Sequence, residues 1–309
     1  MPFFPIFGRF GSWHNRNCDD DIVSLSNLHR QILYTPEDIG KPKVEIAAKR
    51  LQQQNPEMKI IPIKKRVTSE NVMDLISEFD LIIEGTDNFE TKYLLNDACV
   101  LAGKPLVYGA IYQYEGQVSI WNVPQKDGSF SPNYRDVFPN VEENQVPNCA
   151  EGGVIPSLAG IVGCMQANEA LKFLTKSEDI LSGKLWMMNV LTGKTQIIKL
   201  KKSTTNTITE LTPTIKAISF EDFNQNKDAF EIIDVRNEEE HAKFNLGGKN
   251  IPLNDLENRI SEISNSDKIL CYCATGKRSA AAVHLLQKYF PNASIFSLKD
   301  GIENQNLDL

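Results

Sequence analysis

The residues of this chain that could do chemistry stand where a strand would end and deliver them to a turn. Asp19-Asp20-Asp21 is followed by Asn27 and Arg30, and then by Gly40-Lys41-Pro42-Lys43. Acidic groups at the carboxyl end of a parallel strand can hold a ribose hydroxyl, and an Arg and a Lys a turn or two away can neutralise a nucleotide's phosphates. A second piece, Glu84-Gly85-Thr86-Asp87-Asn88, directly follows Leu81-Ile82-Ile83 and offers Asp87 as a magnesium-associated carboxylate. The competing reading of an Asp in that place is a helix cap. Towards the C-terminus, Cys273-Ala274-Thr275-Gly276-Lys277-Arg278-Ser279 also follows an apolar run and opens a helical pattern. A sulfur anion there faces successive backbone amides and a helix N-terminus.

Positioning such groups requires alternating strands and helices. From Pro42 the segment has Val44, Ala47, Ala48 and Leu51 on one 3.6-residue face, which predicts an amphipathic helix ending before Pro56. Beyond it come an extended KIIPIKKRV, a helical SENVMDLISEF, the strand Leu81-Ile82-Ile83, a helix through KYLLNDACVLAG, strands at Leu106-Val107-Tyr108 and GQVSIWNV, a helix over 157–173, and a hairpin around Thr192-Gly193. This alternation predicts an α/β fold, a doubly wound and mostly parallel sheet of Rossmann type. After Lys201 the apolar period stops in a Thr- and Ser-rich stretch, and a second α/β cycle follows. Its strands are expected at 231–236, 268–273 and 294–298, with a helix over 279–290. The domains are therefore drawn at 1–204, a linker at 205–213, and a smaller α/β domain at 214–309.

The 309 residues, with 41% hydrophobic and 24% charged side chains, describe globular domains rather than a disordered or fibrous chain. A net charge of -7 disfavours nucleic acid and anionic membrane as partners. The apolar opening MPFFPIFGRF lacks the basic start and small-residue cleavage site of a signal peptide, and no run approaches a membrane span. Six cysteines without a secretory signal read as thiols, and the chain as cytoplasmic. Cys99 and Cys164, each in an apolar helix, are expected in the core. Cys271 is expected on the strand face opposite Cys273, also in the core.

Taken together and in this order, the motifs from Asp19 to about residue 200 resemble the MoeB/ThiF family of adenylating enzymes, bacterial relatives of ubiquitin-activating enzymes. The resemblance implies that ATP adenylates the C-terminal Gly-Gly carboxylate of a small ubiquitin-fold sulfur carrier. Asp19 would bind the ribose, Asn27, Arg30 and Lys43 the phosphates, and Asp87, beside Asn88, the magnesium or the reacting phosphate. Cys149, in Asn148-Cys149-Ala150-Glu151-Gly152-Gly153, matches the family cysteine that attacks the acyl adenylate or carries it as a thioester or persulfide. The C-terminal domain resembles a rhodanese through the loop Cys273, Ala274, Thr275, Gly276, Lys277, Arg278, through Asp234-Val235-Arg236 and Asn250-Ile251-Pro252-Leu253, and through the closing turn Leu298-Lys299-Asp300-Gly301-Ile302. The fusion implies a relay in which persulfide sulfur on Cys273, received from a donor such as a cysteine desulfurase, converts the activated carboxylate to a thiocarboxylate for molybdopterin, thiamine or tRNA thiolation pathways. Relatives work as homodimers, which is carried over on resemblance alone.

The chain departs from this family twice. The first CxxC pair of a zinc site corresponds here to Asn133-Tyr134-Arg135-Asp136, and no cysteine follows Leu200 in this domain, so no zinc is expected. Ahead of Asp19 the family has a strand, a Gly-rich nucleotide loop, a helix and a second strand, whereas this chain has eighteen residues and no GxGxxG. A doubly wound sheet without its first strand bares two unpaired edges. With one permitted choice of codons, residues 8–18 read one nucleotide later give Ala-Ala-Ser-Gly-Val-Gly-Thr-Ile-Gly-Ile-Val, which looks like the family's helix end and second strand. The expectation is therefore a truncated or frame-shifted N-terminus in which residues 1–18 have no designed role. The competing functional readings are a carrier-binding pseudoenzyme without ATP turnover, and a chain in which only the rhodanese domain acts.

Overall fold

The computed structural model describes residues 14–139, 153–203 and 207–303 of the chain. The chain divides into two compact units, residues 1–212 and 213–309. Among the described residues no helix is long and apolar enough to cross a membrane.

The first unit holds two sheets rather than one. β1 (His14–Cys18) and β2 (Lys59–Ile63) form a parallel pair, joined through the helix Lys43–Gln54. That helix starts directly after Pro42, and its Ala47, Ala48 and Leu51 pack with Leu33, Met58 and Ile60. Each large apolar side chain so buried contributes about 1.5–3 kcal/mol. β1 reads His-Asn-Arg-Asn-Cys, without an alternating apolar face, yet it pairs in full register from His14–Lys59 to Cys18–Ile63. Residues 14–18 thus form a strand, since a parallel ladder is made by backbone groups and tolerates polar side chains.

The second sheet has the order β3 (Ile82–Ile83), β4 (Leu106–Tyr112), β5 (Glu115–Trp121), β6 (Lys184–Asn189), β7 (Lys194–Lys199). β3 and β4 are parallel, while β4 to β7 form an antiparallel meander. The parallel expectation therefore holds at β1–β2 and β3–β4; β4–β5 and β6–β7 are joined by short turns that only antiparallel neighbours allow, while β5 and β6 are joined by a long connection that includes the helix Pro156–Leu174. The helix Pro156–Leu174 crosses β4 and β5, and a Cβ at Gly116 would lie 2.6 Å from a Val162 methyl, so only glycine admits this approach. On the other face Tyr108, Trp121, Tyr134 and Leu185 pack with the helix Phe89–Leu101.

The second unit is a parallel five-stranded sheet, ordered β10 (Lys249–Asn250), β9 (Glu231–Asp234), β11 (Lys268–Tyr272), β12 (Ser294–Leu298), β8 (Lys216–Ile218). Along β11 and its end, Ile269, Cys271 and Cys273 join one apolar cluster with Ala282, Val283 and Leu286, while Leu270 and Tyr272 join another with Phe223 and Leu298. Cys271 is buried, as expected, but on the same face as Cys273, because residues two apart on a strand point the same way. Burial pushes its thiol well above the ordinary range. Cys99 is buried and its thiol is likewise pushed up, to about 12. Cys164 is exposed, on the outer side of its helix, and not in the core as its apolar surroundings in sequence implied.

The turn after β12 closes this unit. The amides of Ile302 and Glu303 donate to the carbonyls of Cys273 and Ala274, and Gly301 has φ +67° with the Ala274 oxygen 2.2 Å from where a Cβ would stand. Gly301→Ala forces an L residue into left-handed backbone and presses it into another backbone segment, which cannot yield cheaply. We expect a loss of roughly 2 kcal/mol in denaturant unfolding followed by exposure of the Cys273 thiol, and an unchanged midpoint would refute this account of the turn.

Candidate active sites

In the first unit the acidic and basic segments are drawn together by backbone pairing. Asp19 leaves β1 with its amide on the Ile63 carbonyl, 3.2 Å, and the amides of Val23, Gly40 and Lys43 bond to Lys41, Val23 and Asp21 carbonyls. These bonds lay the segment 19–23 beside 40–43. The buried Lys43 ammonium donates to the exposed Asp21 carboxylate at 2.7 Å. Asp19 accepts the Asp21 amide at 2.9 Å, and burial is the largest influence on its carboxyl, raising it above the usual range against the opposing pull of that amide and of Lys43. Asn27 ends a short 3-10 turn whose carbonyl accepts the Arg30 and Gln31 amides, and the Arg30 guanidinium donates to the Ser26 carbonyl at 3.0 Å. Asp19, Asp21 and Lys43 are thus brought together, with Asn27 and Arg30 on the loop between them.

Asp87 and Asn88 stand on the loop after β3, in the other sheet, and both are exposed. Asn88 caps the helix Phe89–Leu101 by accepting the Thr91 amide at 2.8 Å. The capping role thus falls to Asn88, not to Asp87. Beneath this loop lies a polar cluster that the sequence motifs did not single out. Glu84, 1% exposed, accepts the Thr86 amide and hydroxyl at 2.6 Å each and the buried Lys92 ammonium at 2.5 Å. Lys92 also lies 4.9 Å from the centre of the Tyr108 ring, and Gln166 donates to the Glu84 carbonyl at 2.6 Å. An apolar strand ending in Glu, with a Lys in the first turn of the next helix, is the signal that could have found this pair. Farther along that helix Asp97 takes both guanidinium arms of Arg135 at 2.7 Å, and Asp136 accepts the Ser203 amide at 3.0 Å. Hydrogen bonds and an ion pair therefore hold the 133–136 turn, the segment that corresponds to the family's first CxxC. Cys149 lies outside the described residues.

In the second unit the Cys273 sulfur is buried at the start of the helix Lys277–Tyr289. The amides of Gly276 and Ser279 donate to it at 3.2 and 3.4 Å, and Gly276 takes φ +89° to turn those amides inward. Thr275 and Lys277 are exposed at the rim, and Ala274 is buried. The Arg278 guanidinium donates to Glu240 at 2.8 and 2.6 Å. Asp234 holds Arg236 and His241, and Asn250 donates to the Asp234 and Arg236 carbonyls, which fixes the wall beside the loop. Such a loop can stabilise an anion on Cys273.

A model of the ThiF family matches residues 9–209, and one of the rhodanese-like domain matches residues 219–306. The chain belongs to the ThiF family. It is 39% identical over 287 residues to a probable molybdopterin-synthase adenylyltransferase of Pyropia yezoensis, covering 87% of this chain and 75% of that one. To the sulfur carrier protein adenylyltransferase of Thermus thermophilus it is 47% identical over 172 residues, 55% of this chain and 64% of that one. To the probable adenylyltransferase/sulfurtransferase MoeZ of Mycobacterium tuberculosis it is 33% identical over 294 residues, 87% and 75%. The fold resembles that of E. coli MccB, solved with ATP, at TM-score 0.53 and 20% identity over 63% of this chain and 58% of that one. This ThiF-family chain with its rhodanese-like domain is an enzyme of the adenylyltransferase and sulfurtransferase class.

Breaking the buried pair under the ThiF unit's Asp87 loop is costly, because the remaining charge has no water to turn to. Lys92→Met is expected to lower stability by roughly 3–5 kcal/mol, read by chemical denaturation, and the double change with Glu84→Gln to recover part of that loss; additive losses would refute the coupling. In the rhodanese-like unit the Arg278 hydrogen bonds hold the Glu240 carboxyl down at about 2. A depressed folded value adds stability that is present above the unfolded carboxylate range and is lost as pH falls from about 4.5 towards 2. The pair is partly exposed, so the effect is about 1 kcal/mol or less, and Glu240→Gln is expected to flatten the acid limb of a pH–stability curve.

Proposed function

We propose that this chain adenylates the C-terminal Gly-Gly carboxylate of a small ubiquitin-fold sulfur carrier and delivers to it persulfide sulfur held on Cys273. The observation that carries this reading is the buried Cys273 sulfur under two backbone amides, in a chain whose other unit belongs to the ThiF family. The residues suit a nucleotide in kind: Asp19 for the ribose, Asn27, Arg30 and Lys43 for the phosphates, and Asp87 for a magnesium ion. Asp19 stands in its strand-end position with Lys43 close enough to act on its charge, which supports the assignment. ATP, when bound, supplies the adenylyl group and magnesium neutralises its phosphates. Arg30 and Lys43 would stabilise charge at the transferring centre, where preorganised cations act most strongly. Asn88 would position Asp87 by fixing the helix start. Cys149 would take the acyl group, a thiolate being the best protein nucleophile toward it. Zinc has no place in this scheme, since Asn133, Arg135 and Asp136 replace thiolates with hydrogen bonds. A cysteine desulfurase fits as sulfur donor, and a homodimer as the working form.

A second reading, a carrier-binding protein without ATP turnover, is favoured by the division of the ThiF unit's described strands into two sheets. Pyrophosphate exchange separates the two. Carrier-dependent exchange that is lost in Asp87→Ala and kept in Cys273→Ser, with sulfur transfer lost in Cys273→Ser, supports the proposal. No exchange with any Gly-Gly carrier, alongside intact sulfur loading, supports the second reading.

A further inference from the structure

The Cys273 sulfur has a third neighbour besides the two amides, and it is a hydroxyl. Ser279 Oγ lies 3.6 Å from Cys273 Sγ, 2.9 Å from the Gly276 carbonyl oxygen and 2.7 Å from Ser297 Oγ, which β12 supplies from the neighbouring strand. Cys273 and Ser279 are fully buried and Ser297 is 5% exposed, so no bulk water serves these groups. Ser279 owns one hydroxyl proton and has three acceptors within reach, the Gly276 carbonyl, Cys273 Sγ and Ser297 Oγ. If Ser297 donates to Ser279 Oγ, the Ser279 proton is left to choose between the carbonyl and Sγ.

That choice depends on the charge of Sγ. With a neutral thiol, the carbonyl is the better acceptor. In a persulfide the negative charge sits on the outer sulfur, Sγ is a neutral bridging atom, and the carbonyl again holds the proton. When the outer sulfur is transferred, the acceptor's electron pair forms the new bond to that sulfur, the Sγ–S bond breaks, and its electron pair remains on Sγ as thiolate. A hydrogen bond to an anion is stronger than one to a neutral group, so the hydroxyl turns to Sγ as this charge develops. Interactions that strengthen only as the bond breaks accelerate the step.

We propose that Ser279, backed by Ser297, is a catalytic residue that donates its hydroxyl to the Cys273 thiolate as it leaves the persulfide. This rests on the sulfur-transfer reading above, and the test separates the two. The full chain is loaded with thiosulfate, in which the Cys273 thiolate attacks the outer sulfur and sulfite leaves with the electron pair. It is then discharged in a single turnover with cyanide, whose carbon takes the outer sulfur as thiocyanate and returns the thiolate. In Ser279→Ala, discharge is expected to slow about tenfold to a hundredfold, and the pH dependence of Cys273 alkylation by iodoacetamide to move up by about one unit. Ser279→Thr, which keeps the hydroxyl, is expected to restore the wild-type pH profile. Ser297→Ala, which leaves Ser279 in place, is expected to shift both readouts in the same direction by less, and serves should Ser279→Ala not fold. Discharge and alkylation unchanged in Ser279→Ala, or in Ser297→Ala if only that variant folds, would overturn the proposal while leaving Cys273 as the sulfur carrier. Slower discharge with an unmoved pH profile would overturn it too, since packing damage alone gives that result. A wild-type chain that forms no persulfide on Cys273, checked by mass spectrometry, would overturn the proposal together with the sulfur-transfer reading beneath it.

Discussion

An anion on a buried sulfur needs donors that are already in place, and the second unit is organised around that need. The donors on Cys273 are the Gly276 and Ser279 amides, available because a helix begins there and its first amides have no partner within the helix. Everything else holds this geometry. β11 delivers Cys273 from the middle of the sheet, Gly276 takes the left-handed turn, and the Gly301 turn pins the Cys273 and Ala274 carbonyls from behind. Asp234, Arg236 and Asn250 form a hydrogen-bonded wall beside the loop, so the donors need not be reorganised when charge appears.

The first unit solves a related problem by burying charge in pairs. Glu84 and Lys92 lie beneath the loop that carries Asp87, and Asp97 and Arg135 hold the 133–137 turn against the helix Phe89–Leu101. Gln166, reaching past Gly109 to the Glu84 carbonyl, ties the long helix to the same loop. Lys92 and Asp97 stand on one helix, so the strand end at Glu84, the 133–137 turn and the long helix are all tied to it or to its partner Glu84. The division of the sheet into β1–β2 and β3–β7 sets the chemical question for this unit. Its side chains are of the right kinds for a nucleotide.

Apolar periodicity made most elements legible. The helix Lys43–Gln54 and strand β12 lie where their patterns place them, because each has a run long enough to show its period. β1 and β8 were not legible, since neither has an apolar alternation and both rest on backbone pairing to a partner distant in sequence. The motifs pointed to Asp19, Lys43, Asp87 and Cys273 because reactive residues stood after strands. They included Glu84 and Ser279 without giving them a role and did not reach Lys92 or Ser297, all of which look like ordinary polar residues until packing removes their water.

Residue type and order along the chain alone determined the two α/β units, the resemblance to adenylating and rhodanese families, and the place of Cys273 between a strand and a helix in the second unit. Those properties follow from local pattern. Only the tertiary structure decided which polar groups are buried together, that Arg278 pairs with Glu240, that Asn88 takes the cap beside Asp87, and that Cys271 shares a face with Cys273. Each depends on distances between segments far apart in sequence, and the strength of a hydrogen bond or charge depends on how much water those segments exclude.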